Sequence, residues 1–190
     1  MKLVFATNNL NKLKEVQALV PPQIEIVSLA DIGCTEDIPE TSPTIEGNAK
    51  QKIQYIKQNY GMDCFADDTG LVVDILNGAP GVYSARYAGK DKNAKANMNK
   101  LLNELTGKEN RDAHFKTVIA LELNGKQKVF TGICEGTITL KEKGQGGFGY
   151  DPVFQPKGYT KTFAELPLLE KNKIGHRGKA VQQLIKFLNS

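Results

Sequence analysis

The sequence predicts an α/β fold, because apolar runs with strand character alternate with segments of helical periodicity. Lys2–Ala6 contains a continuous apolar run typical of a buried strand, and Leu10–Val20 then repeats apolar side chains at helical spacing. In the second half of the chain, Asn124-Gly125 separates two alternating stretches, which is a strong hairpin signal. The chain therefore combines helix-linked strands with at least one hairpin.

The size and composition of the chain fit a single globular domain, or one domain with two lobes, over residues 1–190. With 40% hydrophobic and 24% charged residues, it has an ordinary globular composition and needs no disulfide or metal to fold. No apolar run approaches the roughly 18 residues of a membrane span. Cys34, Cys64 and Cys134 lack metal-ligand spacing, which favours reduced thiols in a cytoplasmic protein.

Positive charge is concentrated at the C-terminal end. From Lys157 onward, seven Lys and Arg residues oppose two Glu, so the last 34 residues have a charge of +5 in a chain of net charge +4. This distribution predicts an anionic partner. A phosphorylated small molecule and a nucleic-acid backbone both satisfy it.

In chain order, Ile24–Val27 is a second short strand, and the loop 31–44 contains four carboxylates that include Glu40. Helical spacing over Thr44–Tyr60 predicts a helix that Gly61 ends. Asp63–Ala66 is expected to be a strand. The remaining expected elements are a turn at 77–81, a short helical turn at Val82–Ala88, a helix over Lys92–Leu105 with Ala96 facing inward, strands at His114–Leu123 and Lys128–Ile138, and a terminal helix.

Two adjacent carboxylates, Asp67 and Asp68, follow the apolar run Cys64–Ala66 and precede Thr69-Gly70. Carboxylates at the end of a strand are costly to bury unless a cation or hydrogen bonds meet them. Mg²⁺ is the usual partner of such oxygens, and it takes further ligands from water and phosphate. The alternative is a polar strand-to-turn junction, because Asp-Asp-Thr-Gly is also ordinary turn composition.

The stretch Thr7–Lys12 leads from the first strand into the first helix. Unpaired N–H groups and the helix dipole make such a junction a general anion site. Thr7 and Asn9 would add side-chain donors, and Lys12 would add a charge. The alternative is that Asn8 or Asn9 only caps the helix.

The segment Gly144–Pro152 is rich in glycine and contains two aromatic residues and a carboxylate. Glycine allows a ligand to approach the backbone closely, and Phe148 could stack on a base. The alternative is a flexible hairpin tip packed by its own aromatic residues. Further along, His176-Arg177 begins the terminal helix, where a cation opposes the helix dipole; conflicts of this kind tend to mark functional positions.

These separated segments supply phosphate donors, a carboxylate set for Mg²⁺, a stacking ring and donors for a base edge, as a nucleoside triphosphate requires. In their order along nearly the whole chain they resemble the inosine triphosphate pyrophosphatase family, the house-cleaning dITP/XTP pyrophosphatases. The matching segments are Ala6–Lys12, Glu40-Thr41, Glu46–Ala49, Ala66–Leu71, Gly78–Tyr87, Gly146–Pro152 and Gly175–Gly178.

The resemblance implies a role for each matching residue. Asp68 would be the catalytic proton acceptor and would hold Mg²⁺ together with Glu40. Thr69 would contact the substrate beside Asp68. Substrate binding is further implied for Thr7, Asn8, Asn9, Leu10, Asn11, Lys12, Phe148, Gly149, Tyr150, Asp151, Lys171, His176 and Arg177.

The resemblance also implies an elongated mixed α/β fold, with a long central mixed sheet and two lobes flanking a substrate cleft, usually as a cytoplasmic homodimer. The implied activity is Mg²⁺-dependent hydrolysis of ITP, dITP and XTP to the monophosphate and pyrophosphate. Such an enzyme would cleanse the nucleotide pool and prevent misincorporation into DNA and RNA, with no nucleic acid or membrane as partner. The departures are Thr69 and Gly175, where many members have Ser, and Gly47, where some have a second Glu.

Base selectivity follows from hydrogen-bond chemistry at the purine 6-position. Donors such as Arg177, a charged His176 or a backbone N–H would favour a 6-keto oxygen over the 6-amino group of adenine, and mismatched buried polar groups can discriminate by about 10⁴-fold. Two rivals stay open: a nucleic-acid-binding module that uses the basic C-terminal end, and a sensor that binds nucleotide without cleaving it. Asp68 argues against the sensor, and the acidic pair would repel a phosphate backbone unless a cation were present.

Overall fold

The computed structural model describes every residue from Met1 to Ser190. The chain divides into two compact units. The first unit comprises Met1–Asp68, Thr117–Gly132 and Arg177–Ser190, and the second comprises Thr69–Lys116 and Ile133–His176.

The structure contains seven strands and five α-helices. The strands are β1 (Lys2–Phe5), β2 (Glu25–Val27), β3 (Cys64–Val73), β4 (Pro80–Gly81), β5 (Asp112–Leu123), β6 (Lys126–Ile138) and β7 (Phe154–Pro156). The helices are α1 (Leu10–Gln17), α2 (Ile45–Tyr60), α3 (Ala94–Glu104), α4 (Leu168–Ile174) and α5 (His176–Leu188). Short 3₁₀ turns cover Ala30–Ile32, Asp74–Leu76, Ser84–Arg86, Asp151–Val153 and Phe163–Glu165.

All seven strands belong to one mixed sheet in the order β2-β1-β3-β5-β6-β7, with β4 paired to β3. Strand β1 runs parallel to β2 and β3, whereas β4 is antiparallel to β3 and β7 is antiparallel to β6. The hairpin signal is confirmed, because Asn124 and Gly125 link β5 to β6 with φ angles of 50° and 75°. The predicted mixed α/β fold is confirmed.

Each unit has its own hydrophobic core. In the first unit, the rings of Phe5 and Phe65 stack with their centroids 4.6 Å apart, and Val16 of α1 and Val181 of α5 belong to the same cluster. In the second unit, a separate cluster contains Met98 of α3 together with Phe115, Phe154 and Phe163. The apolar side chains of α1, α3 and α5 therefore pack within their own units.

Helix α2 ends where the sequence predicts. The side chain of Thr44 accepts a hydrogen bond from the N–H of Gly47, and Gly61 follows the last turn with a φ of 67°. Gly47 itself has no room for a side chain, because a Cβ atom there would lie 1.8 Å from Ser42 Oγ. The missing second Glu at this position thus has a local steric reason.

Several local predictions were wrong. The strand expected to end at Ala66 continues to Val73, because the residues beyond the acidic pair form ladder bonds with β4. Ala96 is exposed, and Asn97 takes the inward position because its side chain bonds the backbone of Ala85 and Ala88. Leu10, expected on the buried face of α1, is 70% exposed. Helix α4 and strands β4 and β7 were not predicted from the sequence.

The cysteines and the helices bear on two expectations drawn from the composition. The three cysteines are buried free thiols, as predicted. None of the five helices combines the length and the apolar character that a membrane span requires.

Candidate active site

The first unit contains a group of seven ionisable side chains, called here the charged cluster: Lys12, Glu15, Glu40, Lys52, Asp67, Asp68 and Arg177. Four carboxylates thus face three cations. Elements far apart in sequence supply them, namely α1, the loop before α2, α2, β3 and the start of α5.

Strand β3 sends Asp67 and Asp68 to different partners, since consecutive strand residues project to opposite faces. Asp67 Oδ1 accepts a hydrogen bond from Lys12 Nζ at 2.9 Å, and Asp67 Oδ2 accepts one from Arg177 Nε at 2.9 Å. The Asp67 side chain is fully buried. The acidic pair is therefore part of a strand, and the interpretation of this stretch as a turn is wrong.

Asp67 is held in its ionised form. Burial would raise the pKa of Asp67, but the positive charges of Lys12, Arg177 and Lys52 outweigh it and hold the pKa well below its usual range. Arg177 also donates to Glu15, and the two carboxylates raise the pKa of Arg177 against the opposing effect of burial. Asp67 is thus an internal counter-charge and a poor proton acceptor.

Asp68 has the opposite character. Asn48 Nδ2 donates to Asp68 Oδ2 at 3.1 Å, and Lys52 Nζ lies 4.0 Å from Asp68 Oδ1. Burial raises the pKa of Asp68 above its usual value, and the neighbouring Lys52 and Lys12 only partly oppose this. A carboxylate with a raised pKa is a better general base near neutral pH than an ordinary aspartate.

Lys52 is the central cation of this group, and the sequence analysis did not identify it. Its Nζ donates to Glu40 Oε1 at 2.7 Å and to the backbone oxygen of Asp67 at 2.6 Å. Burial would lower the pKa of Lys52, but the charges of Asp68, Glu40 and Asp67 outweigh it and raise the pKa. The available signal was its place three residues after Ala49 on the buried face of α2, where a lysine is out of pattern.

Glu15 and Asn48 were also missed as members of the site. Asn48 stands in the Glu46–Ala49 segment that supported the resemblance, but no role was assigned to it. Glu15 lies beside Val16 on the buried side of α1, where an acid without a partner would be costly. In both cases the signal was a polar residue among buried positions.

The oxygens around Lys52 suit a hard cation. Glu40 Oε1, Asp68 Oδ1 and the Asp67 backbone oxygen surround one ammonium group, and Mg²⁺ prefers oxygen ligands of this kind. No three His, Cys, Asp or Glu side chains in the chain form a metal-binding group by themselves. Because Mg²⁺ is commonly held by one or two carboxylates plus substrate phosphates, Glu40 and Asp68 fit it.

The loop before α1 is organised by a helix cap. Asn9 Oδ1 accepts hydrogen bonds from the N–H groups of Asn11 at 3.0 Å and Lys12 at 3.2 Å, so two of the donors expected to be open are paired. Asn9 therefore caps helix α1, as the alternative interpretation predicted. Asn8 Nδ2 lies 3.4 Å from Asp37 Oδ1. Of the predicted phosphate loop, only Lys12 reaches the charged cluster.

The second unit contains the aromatic loop, defined here as Gly146–Asp151. Asp151 Oδ2 accepts hydrogen bonds from Phe148 N at 2.8 Å and Lys171 Nζ at 2.5 Å. The Lys171 ammonium lies 4.9 Å from the centroid of the Phe148 ring. Gly147 is required here, because its φ is 68° and a Cβ atom would lie 2.1 Å from Asp151 Oδ2. Asp151 thus connects the loop backbone to Lys171.

Other residues predicted to bind substrate are buried or half-buried in the protein. The Tyr150 hydroxyl donates to the backbone oxygen of Ser84 at 2.8 Å. The His176 ring stacks on Phe115 with the centroids 4.6 Å apart. Phe148 and Gly149 are half-buried, as is Thr69, which follows Asp68 in β3. Substrate contacts of these residues stay predictions.

The predicted residues fall into two groups according to the unit that contains them. In the first unit, Glu40 and Asp68 meet at Lys52, and Lys12 and Arg177 meet at Asp67. The second unit contains Thr69, Phe148, Gly149, Tyr150, Asp151, Lys171 and His176.

Comparison with known proteins gives full-length matches. A sequence model of the Ham1 family matches residues 3–187. The chain is 64% identical over 190 residues to a dITP/XTP pyrophosphatase of Flavobacterium johnsoniae, which covers 100% of this chain and 99% of that protein. It is 60% identical to the dITP/XTP pyrophosphatase of Flavobacterium psychrophilum over the full length of both. The solved structure of a HAM1 protein from Coxiella burnetii matches with a TM-score of 0.91 and 37% identity, covering 100% of this chain and 98% of that one.

Proposed function

This chain belongs to the Ham1 family. From this membership and the geometry of the charged cluster, we propose that it hydrolyses dITP, XTP and ITP to the monophosphate and pyrophosphate. The proposal rests mainly on the surroundings of the Asp68 carboxylate. Its carboxylate has a raised pKa, one of its oxygens is fixed by Asn48, and a buried ammonium group lies beside the other.

The proposed reaction is an attack of water on the α-phosphorus. The water oxygen bonds to that phosphorus while a water proton passes to Asp68, and the bond from the α-phosphorus to the α–β bridging oxygen breaks. Pyrophosphate leaves with the bridging oxygen, and Asp68 later releases its proton to solvent. Lys12 and Lys52 supply positive charge for the polyphosphate, which is the main requirement of phosphoryl transfer.

We assign Glu40 and Asp68 to Mg²⁺, because their carboxylate oxygens are suitable ligands and both lie beside the same cation, the Lys52 ammonium. When bound, Mg²⁺ would lower the pKa of a coordinated water and neutralise phosphate charge. Asn48 keeps one oxygen of Asp68 oriented, and Lys12 and Arg177 keep Asp67 out of the proton transfer.

We assign recognition of the purine to the aromatic loop and Lys171. The half-buried Phe148 ring would stack on the base, and the Lys171 ammonium beside it would donate to a 6-keto oxygen. Adenine presents a donor at that position, so a fixed donor disfavours it. Asp151 supports this arrangement, because it binds both the Phe148 N–H and Lys171.

The nucleic-acid alternative loses part of its basis. Two cations of the basic C-terminal stretch, Lys171 and Arg177, are buried and paired with carboxylates, so they do not form a basic surface. A cytoplasmic homodimer that removes non-standard nucleotides before they reach DNA or RNA remains the cellular proposal that accompanies the activity.

The proposal is tested with a panel of ITP, dITP, XTP, ATP and GTP in the presence of Mg²⁺, with pyrophosphate and orthophosphate scored separately. We expect one pyrophosphate for each monophosphate, fastest with the non-standard bases, and no reaction when the metal is chelated. Orthophosphate as the main product would contradict attack at the α-phosphorus. Salt-dependent duplex binding with no turnover would favour the nucleic-acid module.

A further inference from the structure

The ammonium of Lys52 occupies the position at which the proposed metal ligands converge. Its Nζ lies 2.7 Å from Glu40 Oε1, 2.6 Å from the Asp67 backbone oxygen and 4.0 Å from Asp68 Oδ1. The Lys52 side chain is only 6% exposed and that of Glu40 is 31% exposed, so solvent screens these contacts only in part. Mg²⁺ binds oxygen at about 2.0–2.1 Å, and a metal on Glu40 and Asp68 would therefore stand against this ammonium.

The other cations of the charged cluster cannot take over this role. Lys12 and Arg177 are both bound to Asp67, and Arg177 is also bound to Glu15. Lys52 is thus the cation that donates to Glu40 and lies 4.0 Å from Asp68, while Lys12 acts on Asp68 only as a neighbouring charge. Two like charges in contact repel strongly where water is excluded, so a divalent ion can enter only if Lys52 moves away.

We propose that Lys52 closes the metal site of the nucleotide-free protein, and that the triphosphate opens it by drawing the ammonium onto its phosphate oxygens. This inference rests on the proposed function. Its consequence is an order of binding: the divalent cation is held tightly only together with the nucleotide. A bare divalent cation competes with Lys52 and binds weakly.

The chemistry of lysine suits such an exchange. Its ammonium is a compact point charge on a flexible four-carbon stem, and it binds phosphate as readily as carboxylate. Lys52 is anchored on helix α2, so only the end of the side chain needs to move. Arginine would be a worse choice, because its planar fork prefers a fixed bidentate geometry.

The test measures Mn²⁺ binding directly, by electron paramagnetic resonance of the free ion at pH 8. The variant is Lys52→Met, and the matched control is Lys50→Met, which removes the same charge from the same helix. Lys50 is 42% exposed and pairs with Glu46 at 2.6 Å, away from the two metal ligands. Circular dichroism and thermal melting check the fold, and Lys52→Gln serves as a second variant should the methionine protein not fold.

Without nucleotide, we expect Lys52→Met or Lys52→Gln to bind Mn²⁺ at least about tenfold more tightly than the wild type and Lys50→Met, because the competing charge is gone. Addition of α,β-methylene-ITP should tighten Mn²⁺ binding by about tenfold or more in the wild type and much less in the Lys52 variants. Equal Mn²⁺ affinity of all nucleotide-free proteins, or no Mn²⁺ binding in any state, would overturn the inference. Failure of the proposed function is a separate result, since it shows as absent hydrolysis in the nucleotide panel.

Discussion

Asp67 in the first unit and Asp151 in the second are both buried carboxylates bound to a lysine, yet their surroundings differ. Asp67 lies within the long strand β3 and binds Lys12 and Arg177, with Lys52 bound to its backbone oxygen. Asp151 lies in a short 3₁₀ turn and binds one lysine and one backbone N–H. The first carboxylate binds cations from two helices, α1 and α5, whereas the second stabilises a loop.

This difference suggests a division of tasks. The charged cluster is anchored on regular elements, which favours the exact placement that a proton transfer requires. The aromatic loop depends on one carboxylate and on glycines, so its shape is more sensitive to a single substitution. Changes in the first region should therefore affect kcat or folding, and changes in the second should affect KM.

The largest effect is expected from Asp68→Asn, which removes the proton acceptor but keeps the bond partner of Asn48 in place. We expect kcat to fall by about 10³-fold, within the range that general-base catalysis contributes. Binding of α,β-methylene-ITP, measured by calorimetry without a divalent cation, should change little. The control is Asp74→Asn, an exposed aspartate just beyond the end of β3, which should keep full activity. An active Asp68→Asn protein would disprove the assignment of the base.

The next effect concerns folding. Asp67→Asn leaves the buried charges of Lys12 and Arg177 without their shared counter-charge, and the free energy of unfolding should fall by about 3–5 kcal/mol. Urea denaturation measures it. As a control, Glu25→Gln breaks a pair with Lys2 in which the glutamate side chain is 58% exposed, and it should cost less than about 1 kcal/mol. Similar losses in the two variants would show that the burial of the charged cluster has no energetic consequence.

A smaller effect is expected in the second unit. Asp151→Asn keeps an acceptor for the Phe148 N–H but removes the charge that holds Lys171. A hydrogen bond to a charged group is worth about 1.5–3 kcal/mol, so KM for ITP should rise roughly tenfold or more. Steady-state kinetics should show a much smaller change in kcat, and Asp151→Glu should restore part of the loss. A fall in kcat at constant KM would place Asp151 in the chemical step.

The smallest effect is a shift of the pH profile. Because burial raises the pKa of Asp68 above 3.8, the ionised base is lost on acidification at a higher pH than for an ordinary aspartate. The acid limb of kcat/KM should report this, because kcat/KM follows the ionisations of the free enzyme. In Lys52→Met the limb should move to still higher pH, since Lys52 lowers the pKa of Asp68. If the acid limb does not move in this variant, the ionisation that it reports does not belong to Asp68.

Local patterns predicted much of the secondary structure. The end of α2 at Gly61 could be predicted because glycine adopts the positive φ that often follows a helix. The hairpin at Asn124-Gly125 could be predicted because its turn also requires positive φ. The continuation of β3 through Asp67 and Asp68 could not be predicted from the sequence. Turn composition competed with ladder bonds to β4, which no local pattern reveals.

The candidate site was predicted in its residues more than in its connections. Asp68 and Glu40 were proposed to share a cation, and the structure places a cation, Lys52, beside both. Tyr150 and His176 were expected to line the base pocket; their side chains are buried in the second unit, and their substrate contacts stay predictions. Their side chains are amphipathic, and only the surrounding packing decides whether such a ring is exposed.

The sequence by itself determined the elements, the hairpin, the helix limits and the residue types of the site, because periodicity and end signals act over a few residues. Tertiary structure alone decided which charges meet. Lys12 and Arg177 reach Asp67 across 55 and 110 residues of chain, and Lys52 reaches it across 15. With 25 cations and 21 carboxylates in the chain, charge alone allows many pairings, and the packing of α1, α2, β3 and α5 selects these.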